Sequence, residues 1–476
     1  MTGSIETYPV TSFVKRITLA SGGTAFIDGF NMIVASVALT LMSDVFNPVE
    51  VGLYASLYVL GVFLAALLGG KIGDRVGRTV IYKAVPLCII VISVLMLFWH
   101  TAFALLLGRF LMGIFVGADY PMANTIVSEW SPGSWRSKSL VILMMAWYVG
   151  ALVGSVVGYC MYGVGEQWPW LLFTPAVPAL IFFLLRLSVP ESPRWLVAQT
   201  KTTDADRVLK KVFGASADVK DLGAVQEESG EQMPRTSLIQ AFKMGYFKRF
   251  FFVAVFWVCQ CAPVTVVFMF GPTILQTFGL GSGALSVLGT ALIYVFFMLG
   301  VAPAIKCING MPRRTTVIVT YAFMAAALLL LGLFSNASPI VVLVLFAIYA
   351  LPYGLQSVLD NVYPPELFPT EVRSTAIGSL TAISKLGGAV ASFLFPMGLE
   401  GFGLGSMFIV GGVISIIGLV VSRECPACRG ARLKPEALTG LGVSVDESGG
   451  TQSVDIAPDP RATPLDEQSG TGKGGR

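Results

Sequence analysis

Three charged residues lie deep inside long apolar stretches of this chain, Asp28, Asp119 and Lys385, and a fourth, Arg109, lies near the outer end of such a stretch. A charged side chain at the centre of a bilayer costs several kcal/mol, so such residues usually bind a proton, an ion or a polar ligand. A buried carboxylate can exchange a proton, because burial and neighbouring cations act in opposite directions on its charge. A buried cation can neutralise that carboxylate or attract an anion. These residues therefore point to proton exchange and ion recognition.

The stretches that hold these residues are long enough to cross a bilayer. Hydrophobic residues make up 55% of the 476-residue chain and charged residues only 13%, a balance that water-soluble globules rarely show. The sequence predicts an all-α membrane protein with twelve transmembrane helices in two pseudo-symmetric six-helix bundles. The predicted spans are 18–41, 51–70, 80–99, 102–126, 140–162, 169–188, 249–270, 285–305, 316–334, 339–362, 374–397 and 404–422.

Polar segments divide the chain into five parts. Residues 1–17 precede the first bundle, 18–188, and a charged linker over 189–248 separates it from the second bundle, 249–422. The linker contains a helical pattern near residues 204–213. The tail, 423–476, is rich in Gly, Pro, Ser and Thr, a composition that predicts disorder.

Basic residues are confined to alternate loops. With both termini inside, the loops that face outward contain no Lys or Arg, whereas the inward loops carry residues such as Lys71, Arg75, Lys138 and Arg313. Because short basic loops stay on the cytoplasmic side, we expect both termini in the cytoplasm and the protein in the plasma (cell inner) membrane. The net charge of +4 mostly reflects this bias and does not indicate nucleic-acid binding.

Only one pair of cysteines has the spacing of a metal or redox site, Cys425 and Cys428 in the tail. No second Cys or His pair accompanies it, because His100 is the sole histidine, so neither a metal nor a cofactor is predicted. No nucleophile–base pair or cluster of metal ligands is evident in the spans or loops, so we do not expect an enzyme.

One charged motif occurs twice. The frame Glu-x-x-Pro-x-x-x-Arg-Ser begins at Glu129 and returns at Glu366, 237 residues later, with Arg136 and Arg373 in matching positions. Half the chain length separates the copies, which indicates an internal duplication. Both copies fall at the predicted cytoplasmic ends of two consecutive spans, where breaking an ion pair costs on the order of a kcal/mol. Such pairs suit a latch that closes in one state and opens in another.

Further motifs resemble those of the major facilitator superfamily. The loop after the second span, Gly70-Lys-Ile-Gly-Asp74-Arg-Val-Gly-Arg78, resembles its signature loop, and Arg109-x-x-x-Gly113-x-x-x-Gly117 resembles its fourth-helix motif. Pro190-Glu191-Ser-Pro-Arg194-Trp195-Leu196 resembles the sugar porter branch. The resemblance implies two bundles related by a pseudo-twofold axis, a substrate held between them near the midplane, and a monomer.

The resemblance also implies a cytoplasmic gate built from charged residues; the alternative is that these residues only anchor helix ends. The gate residues are Asp74, Arg78, Glu129, Arg136, Glu191, Arg194, Glu366 and Arg373.

Asp28 is our preferred proton-coupling residue, tuned by Arg109, and Asp119 is the second candidate. Asp28 lies about 15 Å into the first span, close to the midplane. The sequence Asp28-Gly-Phe-Asn31 resembles the first-helix motif of aromatic acid/proton symporters, whereas sugar/proton symporters carry the acid where this chain has Asn31. The alternative is a fixed ion pair with Arg109 or Lys385 that never titrates.

Lys385 is the clearest indication of the substrate. A midplane cation favours an anionic ligand such as a carboxylate, although Lys385 could equally neutralise Asp28, Asp119 or Asp360. Aromatic residues such as Trp147 and Trp257 could cover a ring or an alkyl chain. Further candidates for substrate binding are Asn31, Asn124, Gln260, Gln356, Asp360 and Asn361.

We expect a secondary transporter that takes up a small organic metabolite together with a proton. An organic acid anion, such as an aromatic acid, is the leading substrate class, and a sugar or polyol is the alternative. The seventh span lacks the Gln-Gln-x-x-Gly-x-Asn pattern of hexose porters, reading Trp257-Val-Cys-Gln260-Cys-Ala-Pro263 instead, which counts against a hexose. A transporter-like sensor that signals through the linker or tail is the alternative of another class.

Overall fold

The computed structural model describes most of the chain in one compact unit, and it describes two short strands beyond that unit. The described residues are 10–42, 45–162, 168–214, 219, 242, 246–279, 283–303, 312–334, 338–360, 363–368, 370–424, 443–445 and 451–453.

These residues are almost entirely helical. The helices are α1 (Ser12–Thr40), α2 (Pro48–Val76), α3 (Arg78–Phe98), α4 (Ala102–Trp130), α5 (Gly133–Met161), α6 (Trp168–Phe173), α7 (Ala176–Leu187), α8 (Pro193–Ala198), α9 (Thr202–Phe213), α10 (Phe247–Thr277), α11 (Ala284–Val301), α12 (Arg313–Leu333), α13 (Pro339–Leu359), α14 (Tyr363–Glu366) and α15 (Thr370–Glu424). Two strands, β1 (Val443–Val445) and β2 (Thr451–Ser453), pair antiparallel in the tail for which the composition predicts disorder.

The prediction of twelve spans is confirmed. Eleven helical stretches in the described part of the chain are long and apolar enough to cross a membrane, counting α6 and α7 as one. The last, α15, is broken at Gly403, where φ is +76°, so it crosses twice. Only glycine adopts such a backbone without strain, which explains the residue at this turn. Helices α1–α7 form the first half and α10–α15 the second.

Sequence signals set where the long helices begin. The Thr11 side chain accepts a hydrogen bond from the Val14 backbone at the start of α1, and Asn47 and Glu50 form a reciprocal capping box at the start of α2. Because such caps satisfy the first backbone N–H groups of a helix, the chain can enter the bilayer with few unpaired donors. Apolar residues such as Phe103 and Leu184 stay exposed on the outside, as expected of a lipid-facing surface.

The linker between the halves forms part of one end of the first half. Helix α9 covers Thr202–Phe213, close to the helical pattern seen in the sequence. Its Phe213 ring stacks on Trp130 at the end of α4, and Phe13 at the start of α1 contacts the same indole edge-on. Following the orientation that the basic loops predict, we call this end, defined by Phe13, Trp130 and α9, the inner face, and the opposite end the outer face.

Helices α1 and α5 approach each other closely because both carry glycines at the contact. A Cβ atom added to Gly29 would collide with the Trp147 carbonyl oxygen, and one added to Gly150 would collide with the Phe26 carbonyl oxygen. Small residues at such crossings let helix backbones approach inside a membrane. This contact brings the middle of α5 against the middle of α1, where Asp28 lies.

We expect Gly150→Val to destabilise the protein by about 2 kcal/mol, because the colliding atom belongs to the backbone and cannot rotate away. Thermal unfolding of the purified protein in detergent measures the effect as a lower midpoint temperature. Gly378→Val is the matched control, since a Cβ at this helical glycine meets nothing within 4 Å. Equal effects of both substitutions would contradict the close contact.

Candidate functional site

Asp28 receives hydrogen bonds from three different helices. Its carboxylate accepts from the Tyr58 hydroxyl of α2, from the Tyr120 hydroxyl of α4 at 2.6 Å and from the Trp147 indole of α5 at 2.9 Å. Asp28 itself is only 8% exposed. An ionised carboxylate can accept all three bonds, so the arrangement satisfies a charge that water cannot reach. The sequence indicated Asp28 but none of its three partners.

Arg109 lies one aromatic ring away from Asp28. Its guanidinium is stacked over the rings of Tyr58 and Tyr54, at 4.3 Å and 5.0 Å from their centroids. The side chain is 1% exposed, and Nη2 donates to the Met269 sulfur of α10 at 3.9 Å, while Nε and Nη1 have no hydrogen-bond partner among the described residues. Tyr58 therefore lies between the two charged groups: its ring contacts the Arg109 guanidinium and its hydroxyl donates to the Asp28 carboxylate. Its tuning role stays a prediction.

Asp119 is held in an ion pair that the sequence analysis missed. Of the two partners considered there, neither Arg109 nor Lys385 pairs with it; Arg186 of α7 does, at 2.8 Å. Arg186 is fully buried. The sequence analysis did not consider Arg186, which lies two residues before the end of the predicted span 169–188. A charge inside the predicted span 169–188 was the available signal.

The second half contributes a separate polar group around Asp360. The Trp257 indole of α10 donates to the Asp360 carboxylate at 3.1 Å, and the side chains of Gln260 and Lys385 lie near this carboxylate. Lys385 is half-buried and forms no ion pair within 4 Å among the described side chains. The role of Lys385 in substrate binding stays a prediction.

The asparagine and glutamine candidates for substrate binding lie in different surroundings. Asn31, Gln260 and Gln356 are buried, and each has an amide nitrogen without a hydrogen-bond partner in the described part of the chain. Asn124 is exposed on α4, so the structure does not bring it to the buried group around Asp28. Asn361 lies outside the described residues.

Aromatic rings connect the two halves in the middle of the protein. The Trp147 ring lies 4.6 Å from the Phe268 ring of α10, and the Tyr148 ring stacks on Phe297 of α11 at 6.0 Å. Nearer the outer face, a Cβ atom added to Gly283 would collide with the Tyr162 ring. Trp147 therefore both donates to Asp28 and packs against the second half.

At the inner face, gate candidates of the first half form a local network. Arg78 and Glu129 form an ion pair, and the Ser192 hydroxyl also donates to Glu129. Glu191 accepts a hydrogen bond from the Thr79 hydroxyl at 2.9 Å. These contacts connect the ends of α3 and α4 to the segment after α7.

The remaining gate candidates are Asp74, Arg136, Arg194, Glu366 and Arg373. The Arg194 Nε atom is buried with no described partner. The side chains of Asp74, Arg136, Glu366 and Arg373 lie outside the described residues, as do Cys425 and Cys428, so the proposed gate stays a prediction.

Removing the charge of Glu129 tests the inner network. We expect Glu129→Gln to lower stability by about 1 kcal/mol or more, because Glu129 is only 9% exposed and screening by water is weak there. The matched control is Asp204→Asn, which removes the exposed Asp204–Arg207 pair on α9 and should have almost no effect. Thermal unfolding checks both variants, and an unchanged midpoint for Glu129→Gln would rule out a stabilising network.

Twelve membrane crossings in two halves, with a charged carboxylate and polar amides in the buried middle, define a secondary transporter of the major facilitator type. The model of the family described as "Sugar (and other) transporter" matches residues 14–435, and the chain belongs to that family.

Relatives of known name agree with this assignment. The chain is 34% identical over 426 residues to YaaU of Escherichia coli strain K12, covering 89% of this chain and 94% of that protein. It is 27% identical over 441 residues to the arabinose-proton symporter of Bacillus subtilis, covering 89% of this chain and 94% of that protein. The solved structure of the E. coli xylose transporter XylE in a partially occluded inward-open conformation superposes with a TM-score of 0.74 at 20% identity, covering 86% of this chain and 97% of XylE.

Proposed function

We propose that this transporter takes up a small organic anion together with a proton, with Asp28 as the proton-coupling residue. The observation that carries the proposal is the set of three donors on Asp28, one of which, Trp147, also packs against the second half. A motion of the two halves that moves Trp147 therefore changes the hydrogen bonding of this carboxylate.

Trp147 relates Asp28 to the contact between the halves. Its indole donates to Asp28 from α5 and its ring packs on Phe268 of α10. A rearrangement of this contact during transport that turns the Trp147 side chain removes one of the three donors to the Asp28 carboxylate.

Lys385 supports an anionic substrate. Its ammonium forms no ion pair within 4 Å with a described carboxylate, and Asp360 lies nearby. A cation without a partner at the middle of a membrane protein is stabilised by binding an anion. Trp257, which donates to Asp360 from α10, lies in the same group and offers an apolar ring beside it.

A sugar or polyol is the second candidate. Buried amides without described partners, on Gln260 and Gln356, could bind hydroxyl groups, which both donate and accept hydrogen bonds. Family membership and the arabinose-proton symporter among the relatives favour the same candidate. We further propose that the protein acts as a monomer in the bacterial inner membrane with both termini in the cytoplasm, as its relatives and the distribution of basic residues favour.

Asp28→Asn is expected to abolish proton-driven accumulation while substrate exchange survives, because an amide keeps the size of the carboxyl but cannot carry a proton. Proteoliposomes measure both activities. Substrate accumulation under an imposed proton gradient should fall to the level of a gradient-free control, and counterflow should stay near the original rate. Full accumulation by the variant would eliminate Asp28 as the coupling residue.

Lys385→Gln is expected to weaken the binding of carboxylates by about tenfold or more, since a charge-assisted hydrogen bond contributes roughly 1.5–3 kcal/mol. The neutral analogues of the same compounds, in which an amide replaces the carboxylate, should bind unchanged. Thermal-shift titrations of the purified protein with both series measure the difference, and Lys15→Gln, an exposed lysine at the inner face, is the control. Equal losses for acids and amides would favour a structural role for Lys385.

A further inference from the structure

Arg186 uses almost every donor that it has inside the first half. Its Nε donates to the Ala20 carbonyl of α1 at 3.3 Å, and Nη1 donates to the Tyr82 carbonyl of α3 at 2.8 Å and to Asp119 of α4 at 3.0 Å. Its Nη2 donates to the Thr24 hydroxyl at 2.7 Å, and the guanidinium stacks on the Tyr82 ring at 4.0 Å. One side chain of α7 thus binds three other helices.

Thr24 binds both members of the Arg186–Asp119 ion pair. Its hydroxyl accepts from Arg186 and donates to the Asp119 carboxylate at 2.7 Å, so Arg186, Asp119 and Thr24 bind one another pairwise. The planar guanidinium of an arginine binds a carboxylate in a defined orientation, whereas the compact ammonium of a lysine does not. The three residues therefore fix the relative rotation and height of α1, α4 and α7.

The cluster lies next to the proton site on two helices at once. On α1, Thr24 precedes Asp28 by four residues, which is one helical turn. On α4, Asp119 directly precedes Tyr120, whose hydroxyl donates to Asp28 at 2.6 Å. Any slip between α1 and α4 at the cluster therefore moves Tyr120 relative to Asp28.

Stability alone does not explain a buried ion pair. Well-packed apolar residues in its place are often as stable, because removing two charges from water costs about as much as their attraction returns. What the pair supplies is a defined geometry. We propose that Arg186 is a positioning residue for Asp28, acting through Asp119 and Thr24.

This inference rests on the proposed function, since it takes Asp28 as the proton site. The groups that face Asp28 are Tyr58 from α2, Tyr120 from α4 and Trp147 from α5, with Arg109 behind the Tyr58 ring. Of these, only Tyr120 is adjacent in sequence to a member of the cluster.

The test is the double variant Asp119→Asn, Arg186→Gln in the full-length protein. It removes both charges together, so no lone charge stays buried. We expect counterflow to persist and proton-driven accumulation to fall about tenfold, because Asp28 loses a well-aligned donor. Infrared difference spectra between acidic and neutral pH, with the Asp28 carboxyl band assigned by its absence in Asp28→Asn, should show that band shifted in frequency.

Two further variants separate positioning from general damage. Thr18→Val removes another buried hydroxyl of α1, one that donates to the Val14 carbonyl and accepts from the Trp135 indole outside the cluster, so both readouts should match the unmodified protein. Thr24→Val is isosteric and keeps both charges, and it carries the test if the double variant does not fold; it should shift the same infrared band in the same direction.

An unshifted Asp28 band in the double variant would overturn the positioning role. If the double variant does not fold, an unshifted band in Thr24→Val would overturn it. If Asp28→Asn instead kept full proton-driven accumulation, the proposed proton site would be wrong. The infrared band would then decide the positioning claim by itself, because it reports the surroundings of Asp28 and not transport.

Discussion

Inside a bilayer there is no water to satisfy a charge, so every buried ionic group has to obtain its hydrogen bonds from neighbouring helices. Asp28 meets this requirement with one donor each from α2, α4 and α5, and Arg186 meets it with acceptors on α1, α3 and α4. The packing of the first half follows from these two groups. Helices that supply a bond to a buried charge cannot slide without leaving it unsatisfied.

The two halves use their polar residues differently. In the first half the buried carboxylates are fully engaged by partners of the same half, and the contacts across the middle are aromatic, as between Trp147 and Phe268. In the second half, buried amides of Gln260 and Gln356 keep free hydrogen-bonding capacity.

Much of the fold could be predicted from the sequence. Twelve apolar stretches predicted twelve crossings, and the repeated Glu-x-x-Pro-x-x-x-Arg-Ser frame indicated the duplication. The candidate site was harder to predict, because the rotation of each helix about its axis decides which buried charges form pairs. Asp119 and Lys385 look alike in sequence, as lone charges in apolar spans, yet Asp119 has a fully buried partner in Arg186 and Lys385 has no ion-pair partner among the described residues.

The sequence by itself determined the membrane class and the number of crossings, because hydrophobic length and helical rise are local properties. Only the tertiary structure decided that Tyr58, Tyr120 and Trp147 converge on Asp28, and that a residue of α7 binds Asp119. These contacts join residues that are 30 to 119 positions apart along the chain. Their formation depends on how the faces of separate helices pack, which no local pattern of residues specifies.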